Sequence, residues 1–103
     1  MTSRGIPDVN ACRDGVECWI ELKVVQGRQV KLRPEQVGWL LLRTTRFHGR
    51  AWIVAEDHYR NRVLVWNGRF AAEVKTDGID APVPVNIFPR PVNWEALANL
   101  LFG

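Results

Sequence analysis

The stretch that decides the fold is residues 6–25, IPDVNACRDGVECWIELKVV. Two predicted strands, 6–13 and 16–25, flank Asp14-Gly15, a dipeptide that tolerates the positive φ of a tight hairpin turn. The second of them is rich in β-branched and aromatic residues. If these two residues form the loop, Arg13 pairs with Val16, and the numbers of any two residues that face each other add up to 29. The hairpin register therefore places Asp8 opposite Glu21.

The two faces of this predicted hairpin differ sharply in chemistry. Side chains alternate between the faces of a sheet, so one face carries only apolar residues, namely Val9, Ala11, Cys18, Ile20, Leu22 and Val24. The other face is mostly polar and carries Asp8, Asn10, Cys12, Glu17, Trp19, Glu21 and Lys23. We expect the apolar face to pack on the core helix.

Asp8 and Glu21 are two like charges that the register sets side by side, with Cβ atoms about 5 Å apart. Such a pair destabilises a sheet unless a positive group lies between the two carboxylates. A divalent cation that prefers oxygen ligands, such as Mg²⁺ or Mn²⁺, would do so, and Lys23 lies on the same face. The alternative is a solvated polar surface without function.

The remaining chain predicts a mixed α+β arrangement around this hairpin. Pro34 suits a first helical turn, and apolar spacing continues a helix to about Phe47, before the stop signal His48-Gly49. A buried strand is expected at 51–56, and a second hairpin at 62–66 and 69–75 around Asn67-Gly68. The proline-rich tether 82–92 leads to a short C-terminal helix at 93–102 that Asn93 can cap.

Bulk properties favour a small intracellular protein that binds nucleic acid. The chain has 103 residues, a formal net charge of +3 and 14 Lys and Arg, most of them Arg, which suits bidentate phosphate contacts. No segment reaches the roughly 20 apolar residues of a membrane span, and no signal peptide is evident, so we expect a cytoplasmic location in a bacterium or as a phage product. Cys12 and Cys18 fall on opposite faces and should not form a disulfide.

The sequence around the predicted hairpin resembles that of a known protein family. Pro7-Asp8 followed by Glu21-Leu22-Lys23 is similar to the motif of the PD-(D/E)XK nucleases. The longer strings Arg4 to Asp8 and Ile20 to Lys23, with the helix opening Leu32 to Trp39, resemble the VRR-NUC branch, which includes small phage and bacterial nucleases related to Holliday junction resolvases. The resemblance covers residues 4 to about 56.

This resemblance implies a restriction-endonuclease-like fold and a single nuclease domain over 1–103, with its core at 4–76. It implies a divalent-metal-dependent DNA endonuclease acting on branched DNA such as four-way junctions, as a homodimer. Asp8 and Glu21 would bind Mg²⁺ or Mn²⁺ with the Leu22 carbonyl, Lys23 would position or activate water, and Gln36 would sit near the site.

One feature departs from the family pattern. Relatives usually carry a helix before the strand with the Gly-x-Pro-Asp motif, and only seven residues precede Asp8. The C-terminal helix or a partner chain could fill its place. The alternative function is therefore a catalytically silent DNA-binding or interaction module on a nuclease fold.

Positive residues near the catalytic strand are candidates for binding the DNA backbone. Arg28, Lys31 and Arg33 lie in the loop that leaves this strand, and Arg43 extends the set along the helix. Alternatively, these residues form a solvated cluster of charges without a ligand.

Two roles are open for Trp19, which could stack on a base or pack inside the protein.

Overall fold

A computed structural model describes residues 5–103, so Arg4 of the sequence motif lies outside the described residues. Five strands form one sheet in the order in which they occur along the chain. They are β1 (Val9–Arg13), β2 (Val16–Val24), β3 (Arg50–Asp57), β4 (Arg62–Asn67) and β5 (Asn86–Pro89). β2 and β3 pair in parallel and the other neighbours are antiparallel. The mixed sheet predicted from the sequence is confirmed, and its architecture is consistent with a restriction-endonuclease-like fold.

The predicted hairpin register is also confirmed. Val9 pairs with Ile20, Asn10 with Trp19 and Arg13 with Val16. The turn residues Asp14 and Gly15 have φ values of 52° and 79°, the left-handed conformation that a two-residue hairpin loop requires. The strand β1 is shorter than predicted, because the ladder begins at Val9 rather than at residue 6.

The assignment of the hairpin faces to neighbouring layers was wrong. The helix α1 (Pro34–Leu41) covers the polar face, where its Gln36 contacts Glu21 and Lys23. The apolar residues Cys18 and Ile20 instead pack under the C-terminal helix α3 (Trp94–Phe102). The physical reason is that Trp19 supplies the apolar contact on the α1 side, so both faces of β2 have a hydrophobic part.

The segment 69–75, predicted as a strand, is helical. A 3₁₀ turn at Gly68–Phe70 leads directly into α2 (Ala71–Asp77). The Asn67 side chain accepts a hydrogen bond from the Arg69 N–H at 3.0 Å, so Asn67-Gly68 begins a helix rather than forming a hairpin turn. Ala71 and Val74 are buried three residues apart, which is a helical spacing.

The helix predicted at residues 34–47 changes its geometry after Leu41. Residues Leu42–Arg46 form a π-helical turn, and the Thr44 hydroxyl donates to the Leu40 carbonyl at 2.8 Å. Hydroxyl bonds to the preceding turn often bend a helix. The stop at His48-Gly49 is confirmed, since His48 has a φ of 53°.

The proline-rich segment is extended, as predicted, and contributes the edge strand β5. Proline is tolerated at an edge because a missing N–H there breaks no central ladder. The following helix α3 has Asn93 as its cap, with the side chain accepting from the Ala96 N–H at 3.1 Å. Leu97 and Leu101 of α3 are buried against the sheet.

Both cysteines are free, as predicted, with Cys12 exposed and Cys18 buried. Burial raises the pKa of the Cys18 thiol, which is the behaviour of an inert core cysteine. Among residues 5–103, no helix has the length and apolar character needed to cross a lipid bilayer.

Gly5 determines how the chain enters the hairpin. Its φ is 79°, and a Cβ at this position would collide with the carbonyl oxygen of Glu35 in the first turn of α1. Only glycine combines this conformation with so close an approach. The segment leading to Asp8 is thereby packed against the start of α1.

We predict that Gly5→Ala destabilises the protein much more than Gly15→Ala. Both glycines have a φ of 79°, but nothing lies within 4 Å of a Cβ built at Gly15. The two variants share the left-handed strain, about 1–2 kcal/mol, and Gly5→Ala adds a steric cost of about 1–3 kcal/mol. Urea unfolding monitored by tryptophan fluorescence measures the difference, and equal losses would contradict it.

Candidate active site

The candidate site lies where the polar face of β2 meets the first turn of α1. Glu21 and Lys23 are two residues apart on β2, so their side chains point to the same side. On the neighbouring strand they pair with Ile53 and Ala55, two fully buried residues. A charged pair is therefore set on an apolar floor, where solvent screens it poorly.

Glu21 is an almost fully buried carboxylate, with 1% of its surface exposed. Its Oε2 accepts a hydrogen bond of 3.0 Å from Gln36 Nε2 and lies 3.5 Å from Lys23 Nζ. Its Oε1 is buried and has no hydrogen-bond partner within the described part of the chain. A buried polar atom without a partner is costly, so it points to a ligand that completes the site.

Gln36 connects the acid and the lysine. Its Oε1 accepts from Lys23 Nζ at 3.1 Å and from the Arg33 backbone N–H at 2.9 Å. The second bond is half of a capping box, which forms because Gln36 is the third residue of α1 and reaches back to the cap. The helix start therefore fixes the rotamer of Gln36, and Gln36 in turn fixes Glu21 and Lys23.

Asp8 approaches Glu21 from the exposed side of the hairpin. Its Oδ2 accepts a hydrogen bond of 3.0 Å from the Leu22 backbone N–H. This bond continues the β1–β2 contacts one step beyond the ladder, through a side chain instead of the backbone. The predicted neighbourhood of Asp8 and Glu21 is therefore present, with Asp8 exposed and Glu21 buried.

The environment of Glu21 favours its protonated form. Burial raises the pKa of the Glu21 carboxyl from its ordinary 4.5 to about 7, and the negative charge of Asp8 adds to the rise. The positive charge of Lys23 acts in the opposite direction. A cation placed between the two carboxylates would reverse this balance and hold both in the charged form.

The residues present fit a hard divalent cation. Within residues 5–103 no cluster of three or more His, Cys, Asp or Glu occurs, and the carboxylates at the site are those of Asp8 and Glu21. Mg²⁺ commonly keeps several waters and binds through only one or two carboxylates. The unpartnered Oε1 of Glu21 is an oxygen ligand of the kind such an ion takes.

The four predicted DNA-binding residues have different environments. Arg28 forms a two-point ion pair with Asp80, which also lowers the pKa of that aspartate. The Arg43 guanidinium pairs with Glu17 at 3.0 Å and lies over the rings of Trp19 and Trp39. These two arginines are thus engaged within the protein.

Lys31 and Arg33 are more open to a ligand. Arg33, the N-cap residue of α1, is exposed, with Nε 3.4 Å from Glu35 Oε1. Lys31 is exposed and lines a groove shared with Lys23. Trp19 packs edge to face against Trp39, with ring centroids 5.2 Å apart. Of the two roles predicted for Trp19, base stacking or packing inside the protein, the structure shows packing.

Sequence reasoning overlooked Trp94 as a functional candidate. It lies in the first turn of α3, is 62% exposed and lines the same groove as Lys23. No local pattern distinguishes an exposed first-turn tryptophan from a packed one. Only the position of α3 on the sheet brings it near β2.

The mixed sheet is consistent with a restriction-endonuclease-like fold, and its first hairpin brings Asp8 near Glu21 and Lys23 beside α1. Residues 1–80 match the model of a family described as archaeal Holliday junction resolvase (hjc). The match covers most of the chain, which belongs to this family. No curated protein and no solved structure matches the chain significantly.

We predict that Glu21→Gln stabilises the metal-free protein more at pH 8 than at pH 4. The folded state holds a proton on Glu21 up to about pH 7, whereas the unfolded state releases it near 4.5. The free energy of unfolding of the wild type therefore falls by roughly 3 kcal/mol as pH rises through this interval, and the glutamine variant does not show this loss. Denaturant unfolding in a chelator at several pH values measures it.

Two further variants test the cause of this pH dependence. Burial makes the larger contribution to the raised pKa of Glu21 and the charge of Asp8 adds to it, so Asp8→Asn should reduce the slope of wild-type stability against pH without abolishing it. Glu73→Gln, on the exposed side of α2, removes a carboxylate elsewhere and should not reproduce the effect of Glu21→Gln. A Glu21→Gln variant whose stability follows that of the wild type at every pH would refute the interpretation.

Proposed function

We propose that this protein is a Mg²⁺- or Mn²⁺-dependent DNA endonuclease that cuts phosphodiester bonds in branched DNA such as four-way junctions. The observation that carries the proposal is the buried Glu21 with its unpartnered Oε1, beside Asp8 and Lys23. Membership of the archaeal Holliday junction resolvase family supports both the chemistry and the substrate class. A relation to the VRR-NUC branch and a phage origin stay predictions.

In this proposal Asp8 and Glu21 hold the metal, together with the Leu22 carbonyl. When bound, the metal supplies charge stabilisation at the phosphate and a bound water that ionises more easily. Asp8 is oriented for this role by the Leu22 N–H, and Glu21 by Gln36. Both carboxylates are therefore positioned before the metal arrives, which limits the reorganisation that binding requires.

Lys23 acts on the attacking water or on a phosphate oxygen. Its Nζ is 3.1 Å from Gln36 Oε1 and 3.5 Å from Glu21 Oε2, and its side chain is 19% exposed. The ammonium group is thus held at the site but keeps access to solvent. A positioned cation of this kind stabilises the charge that develops on the phosphate as water attacks in line.

The DNA backbone would be held mainly by Lys31 and Arg33, which adjoin the site. Arg28 and Arg43 are proposed to contribute through their charge, since their guanidinium groups are paired within the protein. Each lysine or arginine that contacts a phosphate adds to the salt dependence of binding.

We predict that Asp8→Asn, Glu21→Gln and Lys23→Ala each lower cleavage of a four-way junction by about 100-fold or more in Mn²⁺. Binding of the junction in Ca²⁺ should change much less, because Asp8 and Glu21 hold the metal and Lys23 acts at the reacting centre, whereas Lys31 and Arg33 hold the DNA backbone. Gln36→Ala should lower cleavage by about 10- to 100-fold and weaken Mn²⁺ binding, because it only positions Glu21 and Lys23. Gel assays with labelled junctions measure the products.

Glu73→Gln is the control for this series, because Glu73 is exposed on α2, an element that carries none of the four residues. It should cut like the wild type. Wild-type protein that binds junctions but yields no metal-dependent product would instead favour the silent DNA-binding module. Asp8→Asn cutting as fast as wild type would show that the site is elsewhere.

We also propose that the protein works as a homodimer, since paired cuts across a junction need two sites. Exposed apolar side chains such as Leu42 and Phe47 offer surface for self-association. Light scattering should give twice the chain mass of 11.8 kDa at micromolar concentration. A mass of one chain at all concentrations would contradict this prediction.

A further inference from the structure

A groove with a volume of about 570 Å³ opens beside the candidate active site. This size lies within the range of about 300–1,000 Å³ that is typical of ligand sites. Leu22 and Lys23 belong to both the groove and the site, and Val24, Lys31 and Trp94 continue the groove away from it. Anything bound in the groove would therefore lie beside the proposed site.

The groove combines an apolar floor with positive charge. Leu22 and Val24 are 51% and 48% exposed on the part of β2 that extends beyond its pairing with β1, and Trp94 is 62% exposed at the start of α3. Lys31 is exposed along the wall, and no acidic side chain among residues 5–103 forms an ion pair with it. The surface thus suits a ligand with flat apolar faces and a negative backbone.

The acidic residue in the groove does not cancel this positive character. Glu56 lines the groove, but its two oxygens lie 3.1 Å from Arg90 Nη2 and 3.1 Å from His58 Nε2. Its charge is therefore balanced by Arg90 within the protein. The lysines keep their effect on a phosphate that lies nearby.

We infer that the groove binds an unpaired nucleotide of the DNA next to the scissile phosphate, with its base on Trp94 and its phosphate at Lys31. Bases inside a continuous duplex have both faces covered by their neighbours, so only an unpaired base can stack on a tryptophan. Continuity with the site and the charge at Lys31 favour DNA over a protein segment. The inference rests on the proposed function, because the phosphate that is cleaved beside Lys23 sets the position of the DNA strand.

The test compares two DNA probes whose binding is measured without cleavage, by fluorescence anisotropy in Ca²⁺. One probe is a continuous duplex, and the other is the same duplex with a short single-stranded tail. Trp94→Ala should weaken binding of the tailed duplex by about 5- to 100-fold, the usual effect of losing one base–aromatic stack. Binding of the continuous duplex should change by less than about twofold.

Matched variants separate stacking from general effects. Trp94→Phe keeps an aromatic face and should restore most of the affinity for the tailed duplex. Lys31→Ala should weaken its binding and reduce the salt dependence by about one phosphate contact. Tyr59→Ala and Lys75→Ala remove an exposed aromatic and an exposed lysine outside the groove and should behave like wild type.

Two outcomes would overturn the inference. One is that Trp94→Ala affects both probes equally or neither of them. The other is that Trp94→Ala converts a dimer into a monomer in light scattering and leaves affinity for the tailed probe unchanged, because a second copy then occupies the groove. Failure of the proposed function is distinguishable, since it appears as binding of the tailed probe without metal-dependent cleavage.

Discussion

The side-chain amide of Gln36 is the contact on which the site depends. It donates to Glu21 and accepts from Lys23 and from the backbone of Arg33. An ionised glutamate in an apolar setting would cost several kcal/mol without such partners. The amide satisfies one carboxylate oxygen and leaves the other free, so the fold keeps a buried oxygen ligand available.

The surrounding strands and the start of α1 position the Gln36 side chain. Parallel pairing with β3 buries the middle of β2, and α1 must then begin directly above Glu21 for Gln36 to reach it. Gly5 allows the incoming chain to touch the first turn of α1 and continue to Asp8. The hairpin, the start of α1 and the segment from Gly5 to Asp8 are therefore packed as one unit. A distortion of any of them would displace the carboxylates of Asp8 and Glu21.

Much of this unit is predictable from the sequence. The hairpin register follows from Asp14-Gly15, and the proximity of Asp8 to Glu21 follows from the register. The helix at Pro34, the extended prolines and the cap at Asn93 follow from local chemistry. The segment after Asn67 was misread because Asn-Gly both closes hairpins and precedes helices, and long-range burial of Ala71 and Val74 decides between them.

The sequence by itself determined which residues share a face of the hairpin, because side chains alternate with a period of two and the turn sets the register. Only the tertiary structure decided which layer covers each face. Both faces of β2 carry apolar side chains, so the pattern alone does not say that α1 covers Glu21 or that Leu22 and Val24 stay exposed. Glu21 is buried by α1, and the groove at Trp94 forms beside α3. Both features therefore depend on how elements that are far apart in the chain pack on β2.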